Sequence, residues 1–104
     1  MWELQDKSYF IGKNNVETLE FLIKNVRVFD NPNMRLFVAD SDHNMIIDGE
    51  PCSFEATCNN RHIKVSYQYS RDLAGYPDGE YLAEINCYAS NFSTSTETFK
   101  IKLI

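Results

Sequence analysis

Apolar side chains recur at every second residue through most of this chain, and that period constrains the fold more than any other feature. A β-strand sends successive side chains to opposite faces, so an alternating run buries one face and wets the other. Ile63-Lys64-Val65-Ser66-Tyr67-Gln68-Tyr69 is the clearest run, with Ile63, Val65, Tyr67 and Tyr69 on one side. Leu19, Phe21 and Ile23 share a face, as do Tyr81, Ala83, Ile85 and Cys87, and near the end Phe99, Ile101 and Leu103. Met34–Val38 reads as a further strand, and no helical stripe lasts ten residues.

Turn chemistry separates these runs. The breaks fall at GKNN 12–15, DNPN 30–33, DSDHN 40–44, DGEP 48–51, CNNR 58–61, GYPDG 75–79 and ASNFSTS 89–95. Strands are predicted near 8–11, 16–24, 26–29, 34–39, 44–48, 53–58, 62–69, 80–88 and 97–103, with a helical turn over 70–73 and a polar hairpin loop over 90–97. Many short strands, apolar on one face, imply a single all-β domain over 1–104, a β-sandwich of two antiparallel sheets. The alternative is a small β-barrel. Only four glycines are present to mark barrel corners, which favours the sandwich. Fourteen aromatic residues supply the bulk of such a core, and residues 1–7 form either a first core strand or an N-terminal arm.

Charge and motifs narrow the function. Fifteen acids against ten bases leave a net charge of −5, and the bases are scattered along the chain, which disfavours a nucleic-acid partner. No segment has the length and apolarity to cross a membrane as a helix. The N-terminal MWELQDKSYFIGKNN lacks a basic region followed by an apolar one, so the expectation is synthesis in the cytoplasm without a signal peptide. Cys52, Cys58 and Cys87 are odd in number and lack zinc spacing; Cys58 and Cys87 read as small buried hydrophobes in a reducing compartment.

Asp40-Ser41-Asp42-His43-Asn44 opens like a calcium loop, but Met45 and Pro51 stand where the bend glycine and bidentate glutamate belong, so it reads as a turn with Asx caps. His43 and His62 have no nucleophile context, and no phosphate-binding or dinucleotide motif occurs. The expectation is a non-enzyme with no catalytic residues, no cofactor, no metal and no small-molecule substrate. Function then falls to the surface. Trp2, Phe37, Tyr76, Tyr88 and Phe92 lie at the terminus, in a turn or on the outward phase of strands, and are the candidate interaction residues. Protein partners are expected, either a second copy or other proteins of an assembly.

The C-terminal half carries a resemblance. Arg71-Asp72-Leu73-Ala74-Gly75-Tyr76-Pro77-Asp78-Gly79-Glu80-Tyr81-Leu82-Ala83-Glu84-Ile85, then a hairpin, then Glu97-Thr98-Phe99-Lys100-Ile101-Lys102-Leu103, resembles the end of the immunoglobulin-like N-terminal domains of phage baseplate upper proteins. Gly79, Tyr81, Ala83 and Glu84 match their G-x-Y-x-A-E strand, and Phe99, Ile101 and Leu103 their last strand. Gly12 followed by Leu19-Glu20-Phe21 is similar to their opening, although Gly12-Lys13 replaces a G-D turn and Asn25-Val26-Arg27-Val28 replaces an L-x-G-A step. The resemblance implies an immunoglobulin-like sandwich that serves a phage particle, in tail, baseplate or capsid, as a structural or adaptor module. The alternative is a small host-interaction or inhibitor protein, or a carbohydrate-binding sandwich.

Overall fold

The computed structural model describes residues 3–12, 18–24, 33–56, 62–68, 76–89 and 92–104. Eight strands follow in chain order: β1 Ser8–Ile11, β2 Thr18–Lys24, β3 Asn33–Ala39, β4 Met45–Ala56, β5 His62–Gln68, β6 Gly79–Ala89, β7 Phe92–Ser95 and β8 Phe99–Leu103. No helix occurs among the described residues, so the chain is all-β there. The predicted helical turn over 70–73, the strand over 26–29 and Cys58 lie outside the described residues.

The strands join edge to edge in the order β1-β8-β6-β3-β4-β5-β2, with β7 paired to β6 on the side that β8 occupies further along. Every contact is antiparallel except β1 with β8. The two ends of this order nearly meet. Leu4 bridges to Ile23 of β2, Gln5 N–H donates to Leu22 O at 2.9 Å, and Lys24 N–H donates to Glu3 O at 2.9 Å. A few residues later Lys7 O accepts from Lys100 N–H, and β1 runs beside β8. One short segment therefore reaches both ends of the sheet, and the result is a nearly closed, barrel-like sheet. The small barrel named beside the sandwich fits this arrangement.

Alternation accounts for the core. Leu19, Phe21 and Ile23 face Tyr67, Val65 and Ile63 across the β2–β5 ladder, and all six are buried. Met34, Leu36 and Val38 of β3 meet Cys87, Ile85 and Ala83 of β6 in the same way. At the seam the rings of Tyr9, Phe21 and Phe99 pack together, with centroids 4.7 Å apart for Tyr9–Phe21, 5.5 Å for Tyr9–Phe99 and 5.3 Å for Phe21–Phe99. Their tilted, edge-on packing bridges β1 and β8 to β2 with side chains where no backbone ladder does. Leu4 is 1% exposed and belongs to this core, so residues 3–5 are part of the barrel closure.

The DGEP segment, read as a turn, is instead the middle of β4. Gly49 has φ of +74°, and the register jumps there from Leu36 opposite Glu50 to Phe37 opposite Asp48. This is a bulge with glycine in the left-handed region, which bends a strand without reversing it. A further jump between Val38 and Ala39 turns consecutive Ile46 and Ile47 both inward. The bend lets β4 pair with β3 up to Cys52 and with β5 from Ser53 onward. The 90–97 segment, read as loop, contains β7, because its Ser and Thr residues continue the β6 ladder from Ala89–Phe92 to Asn86–Ser95.

Candidate functional site

Residues on the outward phase of β3, β4, β6 and β8 build one exposed face. Across it, Lys100 stands opposite Leu82, Leu82 opposite Ala39, and Ala39 opposite Met45. In the next row Glu84 stands opposite Phe37 and Phe37 opposite Asp48. Leu82 and Met45 are 42% and 43% exposed, and with Phe37 and Ala39 they line a shallow groove of about 240 Å³ rimmed by His43, Glu84 and Thr98. Lys100 pairs with Glu80 at 3.5 Å on the same face, and Arg35 Nη1 donates to Gly49 O at 2.7 Å. The centre is apolar and the surround is charged with both signs.

Phe37 is half-buried because its ring lies across the side-chain-free Gly49; a Cβ placed there would sit 3.0 Å from Phe37 Cζ. Tyr88, exposed at 46%, stands further along the same face, opposite Asn33. Beside it Glu84, Asn86, Ser93, Thr94 and Ser95 line a second groove, of about 390 Å³, with polar walls. Tyr76 does not join them: it is half-buried in the turn before β6 and packs against the core. Phe92 opens β7 opposite Ala89, and its side chain lies outside the described residues, as does all of Trp2. The structure thus brings Phe37 and Tyr88 together on one face and places Tyr76 elsewhere.

Met45 was not singled out from sequence. The bulge around Ile46 reverses the phase of β4 at that point, so simple alternation assigns it wrongly. Phe10, exposed at 59% on β1, is announced by its inward neighbours Ile11 and half-buried Tyr9.

The shifted titratable groups among the described residues include a turn carboxylate and two buried thiols. Asp40 Oδ1 accepts from the Asn44 and Asp42 backbone amides, at 2.9 Å each, and its carboxyl is held below its ordinary value, chiefly by the Asn44 amide. That is an Asx-capped turn, completed by His43 in the left-handed region at φ +65°. Burial, with the Glu50 carboxylate second, pushes the Cys52 thiol up to about 11, and burial raises that of Cys87, so both are poor nucleophiles at neutral pH. Both are free cysteines. Among the described residues no three His, Cys, Asp or Glu side chains gather as a metal site. No helix there is long and apolar enough to cross a membrane. No protein-family model matches the chain, and no curated protein matches it.

Proposed function

We propose that this chain is a non-catalytic adaptor module of immunoglobulin-like topology, which holds a protein partner on the outer face of β3, β4, β6 and β8. The observation that carries the reading is the adjacent exposure of Leu82 and Met45 in one apolar groove with Phe37. Solvent exposure of packed apolar groups is unfavourable, and a partner that covers them recovers about 25 cal/mol per Å² of apolar surface before the cost of association.

Three features support the two-sheet, immunoglobulin-like form of the fold. β4 passes from β3 to β5 at its bend, and the N-terminal segment passes from β2 to β8, so both strands serve two ladders. The Tyr81 hydroxyl donates to Pro77 O at 2.7 Å, closing the turn into β6 in the manner of a tyrosine corner. The phage setting draws on the resemblance of the Gly79–Glu84 strand and of the last strand, and it makes the partner another protein of the particle.

The test is affinity purification against tail, baseplate and capsid proteins encoded beside the gene for this chain. The expected result is retention of one such protein by the wild type and its loss in Leu82→Glu, with the melting curve unchanged. Failure to retain any of them counts against the phage role. Retention by Leu82→Glu at full strength counts against the face.

A carbohydrate-binding role is favoured by one observation, the polar groove in which exposed Tyr88 stands among Glu84, Asn86 and Ser93–Ser95. A glycan array probed with wild type and Tyr88→Ala separates the two readings: binding lost with the ring supports the sugar, and no binding refutes it.

A further inference from the structure

The edge of β7 is built differently from the other edges of the sheet. β7 pairs with β6 on one side, and among the described residues nothing pairs with it on the other. β1, which flanks β8, does not extend alongside β7, because the chain before Ser8 has crossed to β2. The direction of the backbone groups follows from the neighbouring bridge. Thr96 N–H donates to Ile85 O at 2.9 Å, and Ile85 N–H donates to Thr96 Oγ1 at 3.1 Å. Hydrogen-bonded pairs alternate in an antiparallel ladder, so Thr94 turns its N–H and C=O toward β6, and Ser93 and Ser95 turn theirs to the open edge.

Natural sheets protect such an edge with charge, proline or a covering segment. The four residues of β7, Phe-Ser-Thr-Ser, contain neither charge nor proline. β2, by contrast, carries Glu20 and Lys24 and is partly covered by residues 3–5. Among the described residues, β7 is therefore a short edge without charge, proline or cover, a template for another strand.

We propose that this edge pairs with the same edge of a second copy of the chain, antiparallel and centred on Thr94. Ser93-Thr94-Ser95 reads identically in both directions. A two-fold axis at Thr94 sets Ser93 of each copy against Ser95 of the other, and the outward groups form about four hydrogen bonds. Thr94 then faces its own counterpart, a favourable cross-strand pair, and no like charges stand opposite within the strand. Glu97, the next charged residue along the chain, already pairs with Lys7. The joined sheet sets the exposed faces of both copies side by side. The proposal is independent of the partner assigned to that face.

Charge supplies a second signature. Each copy carries a net −5, so copies repel at long range while the junction itself is neutral. Added salt screens the repulsion and strengthens the pairing. A basic foreign strand attracted to this acidic domain would bind more weakly as salt rises.

The test is sedimentation equilibrium of the full chain from about 1 µM to about 1 mM at low and high salt, a range that brackets a weak edge contact. The expected result is a monomer–dimer equilibrium that salt strengthens and that Ser93→Pro weakens by about tenfold or more. Ser93→Pro removes an outward N–H and leaves the β6 ladder intact; Ser93→Lys serves the same end if the proline variant does not fold. In the wild type, the Ser93 and Ser95 amides gain protection from hydrogen exchange as concentration rises. A chain that stays monomeric over the whole range overturns the proposal, even if it captures a foreign peptide. So does a dimer indifferent to both variants, or one whose Ser93 and Ser95 amides exchange freely.

Discussion

Truncating Leu4 tests whether the N-terminal segment is part of the cooperative fold. Leu4 is 1% exposed although it lies four residues before the start of β1, and its neighbours Glu3 and Gln5 bond to β2. Leu4→Ala removes about three methylene equivalents, worth ~2.4 kcal/mol at ~0.8 kcal/mol each. The cavity left beside Ile23 in the core adds to this, for a total of about 2–4 kcal/mol. In urea, with a slope of about 1 kcal/mol/M for a chain of this size, the midpoint falls by roughly 2–4 M. In a thermal scan the Tm falls by roughly 10–20 °C. Phe10→Ala is the control, because Phe10 is 59% exposed and its loss shifts stability by less than about 0.5 kcal/mol. Hydrogen exchange at the Gln5 and Lys24 amides, which bond to Leu22 O and Glu3 O, reports whether the segment detaches or the cavity persists in place. A urea midpoint unchanged in Leu4→Ala refutes the assignment and makes residues 3–7 a peripheral arm.

Gly49→Ala places a Cβ 3.0 Å from Phe37 Cζ at φ +74°, so a loss of about 1–3 kcal/mol is expected by urea denaturation, and a neutral result removes the bulge argument. Tyr81→Phe deletes the 2.7 Å bond to Pro77 O and is expected to cost about 1–1.5 kcal/mol; an unchanged midpoint means the corner does not hold the turn. Alkaline stability follows from Tyr9, raised from 10.0 to about 12 by burial and by the Asp6 carboxylate, and from Cys52, raised from 9.0 to about 11. Both groups are neutral when protonated and their folded values lie above the unfolded ones. Their contribution is full below about pH 9 and is lost as the pH climbs through about 12. Tyr9→Phe and Cys52→Ser each flatten that decline in melting curves from pH 8 to 12, and an equal slope in all three proteins contradicts the burial of these groups.

Strands that face one core with an unbroken period are legible from residues alone. β2, β5, β6 and β8 lie within a residue or two of their expected spans, and every inward side chain assigned to them and described is buried. β4 was not legible, because Asp48-Gly49-Glu50-Pro51 has the chemistry of a turn. Only the partners on either side, β3 and β5, show that the chain bends there and continues. β7 was hidden for the opposite reason: Ser and Thr carry no apolar period, and the strand exists because β6 offers it a ladder. The exposed face was half legible. Phe37 and Tyr88 followed from alternation, whereas Met45 needed the bulge and Tyr76 needed the turn that folds it back onto the core.

The parallel pairing of β1 with β8 has a mechanical meaning. Both strands point the same way, with Ser8 beside Lys100 and Ile11 beside Leu103. Tension between the chain ends pulls β1 backward and β8 forward, along the line of the strands. The bonds between them are loaded in shear, all sharing the force, rather than opened singly as in a zip. The bonds of residues 3–5 to β2 take the load first and yield a short length of slack. Beyond that point the domain resists extension as a clamp whose jaws are its own first and last strands, able to carry load between whatever is fused or tethered at its two ends.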